Sequence, residues 1–349
     1  MQFRSLLCLL LVVAACAPGA ASVPPTSTTT STSTTTTSTT TSTLPPTTTT
    51  TLGAVSPLNG LAAGDPTLLE RRVMAVKIDN HWNARPQSGL QEADAVYELL
   101  VEAGLTRFIA LFHDADSSFV GPVRSGRPTD PTVLRPLGAT FAISGAQDWV
   151  IGLILSQGVP LLGEGAGTYR ISGRRAPHNL YADTSALRRA ADGRGYDDQP
   201  PPADLFTWGE IEQPWRGSRA FRVEFHWSSN YSNAWEWDGS RYLRFHGDTP
   251  HGWLDADGET GQVAADSLVV IFAPRYSASG RSGSPVPALD TVGEGRALVF
   301  AQAKVFEGTW SRASSEEPFD LTDGEERPMI VPRGIPWISV FPADRDVTW

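Results

Sequence analysis

Cysteine is almost missing. Among 349 residues only Cys8 and Cys16 carry a thiol, so everything after Cys16 lacks one. An internal disulfide, a cysteine nucleophile and a Cys-type zinc site are thereby excluded from residues 17–349. Lysine is nearly as scarce: Lys77 and Lys304 stand against 26 arginines. A bias of that size means that each arginine is judged by its position and not by its type. Long apolar runs are lacking too, since Leu6–Val13 falls well short of the roughly 20 residues that span a bilayer. Positive charge is in deficit overall, and a formal net charge of −10 argues against general nucleic-acid binding.

The first fifty residues carry the clearest pattern. Arg4, the apolar run Leu6–Val13 and the small residues Ala14 and Ala15 form the three parts of a secretory leader. Val13-Ala14-Ala15-Cys16 looks like a bacterial lipobox, in which the Cys16 thiol takes a diacylglycerol. Two acyl chains suffice for stable attachment at about 0.8 kcal/mol per buried CH₂. From Ser22 to Leu52 the chain is almost wholly Thr, Ser and Pro, too polar to offset the entropy of folding. It reads as a tether that reaches about 30 Å as a coil and at most about 100 Å stretched. The expected address is the outer face of a bacterial cell membrane, with the membrane itself as the partner of the lipid. Export also removes access to nucleic acid.

The remainder is long enough for a large core. A break at Asp197-Asp198-Gln199-Pro200-Pro201-Pro202 must be extended and turn-rich, which divides the chain into a leader at 1–16, a tether at 17–56, and domains at 57–200 and 201–349. In the first domain Val73–Ile78 reads as a buried strand ending at Asp79. Ala95–Glu102, Gly104 and Arg107–Phe112 favour a hairpin over a helix. Pro131–Pro136, Asp148–Gln157 and Thr184–Ala191 read as helices, the last capped by Asp183 or Thr184, and Thr140–Ser144 as a strand. The second domain is richer in strands: a hairpin turning at Asp238-Gly239, then Ser267–Ala273, Arg296–Ala301 and Trp337–Phe341. Nine of the eleven tryptophans lie from Trp208 onward and read as core anchors sooner than as a sugar-stacking platform. The expected class is α+β, with a mixed sheet and helices before a β-rich domain.

Several short segments are shared with a known family. Pro57-Leu58-Asn59-Gly60-Leu61, Ile78-Asp79-Asn80-His81, Ala84-Arg85-Pro86-Gln87-Ser88-Gly89-Leu90, Glu92-Ala93-Asp94, Thr106-Arg107-Phe108, Gly121-Pro122-Val123-Arg124-Ser125 and Ala176-Pro177-His178-Asn179-Leu180-Tyr181 resemble the YerB-like lipoproteins. Gly308-Thr309-Trp310-Ser311-Arg312 and Gly334-Ile335-Pro336-Trp337-Ile338 resemble that family's C-terminal domain. The resemblance implies two α+β domains on a lipid anchor in the bacterial envelope; it implies no reaction.

Those segments and the residues around them concentrate polar side chains in the first domain: Asp79, Asn80, His81, Arg85, Glu98, Glu102, Arg107, Arg124, Arg127, Arg174, His178 and Asn179. One reading is a cleft in which arginines grip an anion by bidentate hydrogen bonds, with the carboxylates and His178 as acid and base. The other is an interior ion-pair network that fixes strand register. Sharper schemes fit less well. Glu98 and Glu102 would lie roughly 13 Å apart along a strand, beyond the about 5–9.5 Å that paired glycosidase carboxylates need. Ser125 lacks the glycine elbow of a hydrolase nucleophile. Asp79, His81, His113 and Asp114 match no metal spacing, and in Asp255-Ala256-Asp257-Gly258 a β-turn is simpler than a calcium loop. No cofactor and no metal are called for. The expectation is an envelope lipoprotein that binds an anionic wall polymer or a partner protein through this cleft; the alternatives are a hydrolase or transferase on wall polysaccharide or peptide, and a scaffold built on the tryptophans.

Overall fold

The computed structural model describes residues 54–211 and 217–349. The leader, Cys16, most of the tether and Trp215 lie outside the described residues. Order is present by Val55, which bridges to Ala62, and Ser56 is buried, so the last residues assigned to the tether belong to the fold.

Thirteen strands and three helices carry the argument. They are β1 (Met74–Asp79), β2 (Ala95–Leu100), β3 (Thr106–Phe112), β4 (Thr140–Ala142) and β5 (Leu161–Leu162), with α1 (Asp130–Leu134), α2 (Asp148–Ser156) and α3 (Thr184–Asp192). The second segment adds β6 (Arg222–Phe225), β7 (Asn233–Trp237), β8 (Tyr242–His246), β9 (Ser267–Ala273) and β10 (Gly293–Ala301). After these come β11 (Lys304–Arg312), β12 (Asp320–Thr322) and β13 (Pro336–Pro342). Among the described residues, regular structure after α3 is all strand, so the class is α+β with a β-rich second part.

β1 to β3 form where β-branched and aromatic side chains leave no polar face. Every residue of β1 and β2 is buried. β2 and β3 pair antiparallel as the expected hairpin, turning through Ala103 and Gly104 at positive φ. Gly104 is required there, because a Cβ would run into Ser228. α3 starts where the Asp183 carboxylate accepts from the Ala186 amide at 2.9 Å, as its N-cap pattern predicts. The later hairpin differs from expectation by one residue. Asp238 and Arg241 hydrogen-bond to each other, so the reversal centres on Gly239-Ser240, and in that reversal only Gly239 has positive φ.

One sheet joins the two sequence segments. Its order is β12-β11-β10-β9-β13-β2-β3-β1-β4-β5, with β13 parallel both to β9 and to β2. The boundary near residue 200 is thus a boundary in sequence that the sheet's hydrogen bonds cross. A second sheet, built on β8-β7-β6, packs over the first. Trp235 meets Trp337 with ring centroids 5.0 Å apart, and Trp227 meets Phe341 at 4.7 Å. Trp227, Trp235, Trp310 and Trp337 are interior, each worth roughly 4–6 kcal/mol of gross burial at 150–250 Å² apiece. They anchor the core, and a scaffold surface made of the tryptophans loses those four members.

Two ion pairs are sealed inside. The Lys77 amine reaches the Asp130 carboxylate at 2.6 Å, both fully buried, and burial lowers the lysine to about 8 although Asp130 opposes it. Glu98 of β2 and Arg244 of β8 form a fork of two 2.8 Å hydrogen bonds with neither side chain exposed. Removing one partner of such a pair strands the other charge. Glu98→Ala should therefore cost about 3–5 kcal/mol in urea unfolding of the full chain, and Arg244→Met added to it should recover part of that loss. A loss under about 1 kcal/mol would mean that the fork does not hold the two sheets together.

Candidate functional site

The end of β1 is the centre of the site. Asp79, its last residue, points an almost buried carboxylate at two partners. Its Oδ2 accepts from Arg124 Nε at 2.8 Å and from His178 Nδ1 at 2.8 Å, and its Oδ1 accepts from the His81 amide at 3.2 Å. Burial by itself would raise this carboxyl; the Arg124 charge and hydrogen bond, helped by Arg107 and the His81 amide, hold it below the usual carboxylate range instead. His178 is left with Nε2 free of the Asp79 contact. The His81 ring stacks on His178 at 5.3 Å and 17°, and burial together with the charges of His178, Arg124 and Arg85 lowers its pKa.

Asn80 turns the other way, inward. Its amide donates to Thr106 Oγ1 and Tyr231 Oη, both at 2.7 Å, and its Oδ1 accepts from Gln87 at 3.3 Å and Arg85 at 3.3 Å. Gln87 Oε1 meets His251 Nε2 at 2.6 Å, and His251 Nδ1 accepts from Arg244 Nε at 2.9 Å. Since Gln87 Nε2 donates to the Asp79 carbonyl, the amide oxygen must accept from His251, which fixes the tautomer of that neutral ring. A continuous polar chain therefore runs from Arg85 to the Glu98–Arg244 fork.

Arg85 joins that chain to solvent. It lines an open cleft of about 530 Å³ with Asn83, Arg174, Arg175, Ala176, Pro177 and His178. Arg174 donates to the carbonyls of Ala84 and Pro86 at 2.6 and 2.5 Å, which clamps the loop holding Arg85. Among the described residues neither Arg85 nor Arg174 nor Arg175 has a carboxylate partner, and the buried Nε of Arg85 has no hydrogen-bond acceptor.

The twelve residues singled out from sequence thus separate. Asp79, His81, Arg124 and His178 meet at one point, and Arg85 and Arg174 line the cleft with His178. Asn80 connects the cleft to the interior. Arg107 lies opposite Asp79 in register, donates to the Ser125 carbonyl at 2.8 Å, and is lowered to about 10 by burial and then by Arg127. Three expectations need correcting. Glu98 faces no cleft, because Arg244, Thr106 and Trp337 occupy its oxygens in the interior. Glu102 leaves the strand for a 3₁₀ turn and pairs with Arg127 at 2.7 Å, away from Glu98. Asn179 turns outward to Arg170 at 2.7 Å.

Other polar segments proved structural. Asp94 ties β2 to the end of β3 by accepting from the His113 amide at 2.6 Å, and Asp255 closes a hairpin turn by accepting from the Asp257 and Glu259 amides. No cluster of potential metal ligands occurs among the described residues. Gln87, Arg175, Tyr231, Arg244 and His251 were missed. Arg244 had a signal: alternation places it on the same strand face as Tyr242, which is the core face.

A mixed sheet completed by strands from two sequence segments, with a basic cleft at the end of its first strand, defines an α+β protein whose halves fold as one unit. The chain belongs to the family described as protein of unknown function (DUF3048), whose N-terminal domain matches residues 58–197 and whose C-terminal domain matches residues 221–338. It is 29% identical over 299 residues to YerB of Bacillus subtilis (strain 168), a protein whose name proposes that it is a lipoprotein; the match covers 82% of this chain and 86% of that one. The crystal structure of the YerB protein from Bacillus subtilis shares the fold at a TM-score of 0.72 and 24% identity, covering 85% of this chain and 100% of that chain.

The Asp79 pairing carries a pH signature. Its folded pKa lies below the unfolded value of about 4, so its contribution is fully present above that pH and is lost as pH falls through the folded value. Asp79→Asn should flatten the acid side of the stability profile, measured as denaturant midpoint between about pH 2 and 5. An unchanged profile would mean that Arg124 and His178 do not stabilise the carboxylate.

Proposed function

We propose that this protein is a lipoprotein anchored through Cys16 on the outer face of a bacterial cell membrane, which uses the cleft at the end of β1 to bind an anionic group of the envelope, on a wall polymer or on a partner protein. The observation that carries the reading is the contrast among the arginines. Arg124 and Arg127 are neutralised by Asp79 and Glu102, whereas Arg85, Arg174 and Arg175 line a concavity with no carboxylate against them. Guanidinium groups that line a concavity without a carboxylate partner gain from an anion that supplies charge-assisted acceptors. The lipobox, the tether composition and the lipoprotein name of the relative support the address.

One experiment separates the parts. Full chain, Cys16→Ser and Arg85→Ala/Arg175→Ala are each tested for membrane fractionation and for retention on purified cell wall. The Cys16 variant should leave the membrane and keep wall affinity. The arginine variant should stay on the membrane and lose at least about ten- to a hundredfold in affinity, the size of a single charged hydrogen-bonded contact, since two are removed. Equal wall retention of wild type and the arginine variant, with both folded by circular dichroism, would sink the cleft as the binding site.

A second reading, hydrolase or transferase chemistry on wall polysaccharide or peptide, is favoured by one contact. Asp79 orients His178 at 2.8 Å, which leaves Nε2 at the cleft as a base or an acid. Wall digests incubated with wild type should then yield new products by mass spectrometry that His178→Ala does not form. Identical digests with and without protein, beside an active control hydrolase, would remove this reading.

A further inference from the structure

Among the described residues Trp82 is the most exposed of the large apolar side chains, at 64%, where most aromatics are buried. Its exposure is not looseness. It begins a three-residue 3₁₀ turn, Trp82–Ala84, whose N-cap His81 accepts from the Asn83 amide through Nδ1 at 3.2 Å. One side of the indole leans on the His81 ring, with centroids 3.8 Å apart at 36°. His81 stacks in turn on His178, and Asp79 fixes His178. The indole is therefore backed by two rings and a buried carboxylate while much of its surface stays open to water. Asn83, the next residue, already lines the basic cleft.

On the reading that the cleft binds anions, the geometry points to an anionic glycan as its ligand. We propose that a sugar ring lies against Trp82 while its carboxylate or phosphate reaches Arg85 and Arg175, with Asn83 and His178 Nε2 available to hydroxyls. An aromatic face beside polar hydrogen-bonding groups suits a ring that is apolar on its C–H faces and polar at its edge. A peptide would ask for an apolar pocket, and Ala176 and Pro177 are the apolar members of this lining. An anionic lipid surface is disfavoured by the net charge of −10, which repels a negative plane and leaves attraction local to a concave site.

The test uses the full chain carrying Cys16→Ser, titrated with five probes: a glucuronate oligosaccharide, a sugar-phosphate polymer, polyglycerol phosphate, a neutral glucan oligosaccharide and phosphatidylglycerol vesicles. The two charged probes that contain rings should bind more tightly than polyglycerol phosphate and the neutral glucan, and their ranking tells carboxylate from phosphate. Trp82→Ala should weaken both about three- to tenfold, the size of one aromatic contact, leave polyglycerol phosphate unchanged, and be partly rescued by Trp82→Phe. Being surface-exposed, Trp82→Ala should melt with wild type, which is checked alongside. If Trp82→Ala binds the ring-bearing probes as well as wild type does, or if vesicles bind more tightly than either glycan, the glycan assignment is overturned while the anion site stands. If Arg85→Ala/Arg175→Ala binds every anion like wild type, the underlying reading fails first.

Discussion

The fork between Glu98 and Arg244 is the constraint on which the rest of the molecule depends. Its partners are 146 residues apart in sequence and belong to different sheets. All the usual acceptor positions of the carboxylate are taken: two by the guanidinium, one by Thr106 Oγ1 at 2.7 Å and one by the Trp337 indole at 2.8 Å. The guanidinium lies over the rings of Phe108, Trp235 and Trp337 at about 5 Å and gives two further donors to Tyr231 and His251. A buried pair of charges is weak evidence for stability, because desolvation opposes the attraction. Its value is specificity: Glu98, Arg244 and Trp337 meet through these bonds in the observed register of β2, β8 and β13. From the fork the hydrogen bonds pass through Tyr231 and Asn80, and through His251 and Gln87, to Arg85. The placement of the cleft's arginine is thus coupled to the joint between the two segments.

That coupling explains what could be read from the chain and what could not. The strands of β1 to β3, the three helices and the strong later strands were legible, because each is written in local periodicity and local caps. The position of β13 was not. Trp337–Phe341 announces a strand, but a parallel neighbour leaves no mark in the intervening sequence, so nothing local says that it inserts between β2 and β9. Glu98 shows the same limit from the side-chain end. In sequence Glu98 reads as a cleft candidate on a strand; every residue of β2 is buried, and Glu98 is tolerated there because an arginine from another sheet meets it.

The candidate cluster was half legible for a related reason. Sequence brought together residues of the right types, and the fold sorted them by whether a neighbour neutralises them. Asp79 with Arg124, Glu102 with Arg127 and Lys77 with Asp130 became structure. Arg85, Arg174 and Arg175 were left with charge in excess beside a concavity. The ion-pair reading is thus met by some members of the cluster, and the ligand-cleft reading is left to the arginines that lack a carboxylate. Trp82 escaped notice because an exposed tryptophan leaves no periodic signal; only its stack on His81 and His178 gives it meaning.

An anchor changes how strong such a cleft has to be. On the proposed reading, a tether of about 30 residues confines the domain to a shell of at most about 100 Å above the membrane. Binding to a polymer fixed in the same shell is then governed by effective concentration, which reaches the millimolar range for short flexible links. Two or three unneutralised arginines and one aromatic face give contacts suited to weak binding, and weak binding suffices where ligand and receptor cannot diffuse apart. A deep, tightly closed pocket would hold a free ligand better, but it could not follow a polymer whose repeat units slide past it. On that reading the open, basic form of this cleft suits a tethered binder of a repetitive anionic chain, and the hydrogen bonds that tie Arg85 to Asn80 would hold one of its arginines in place.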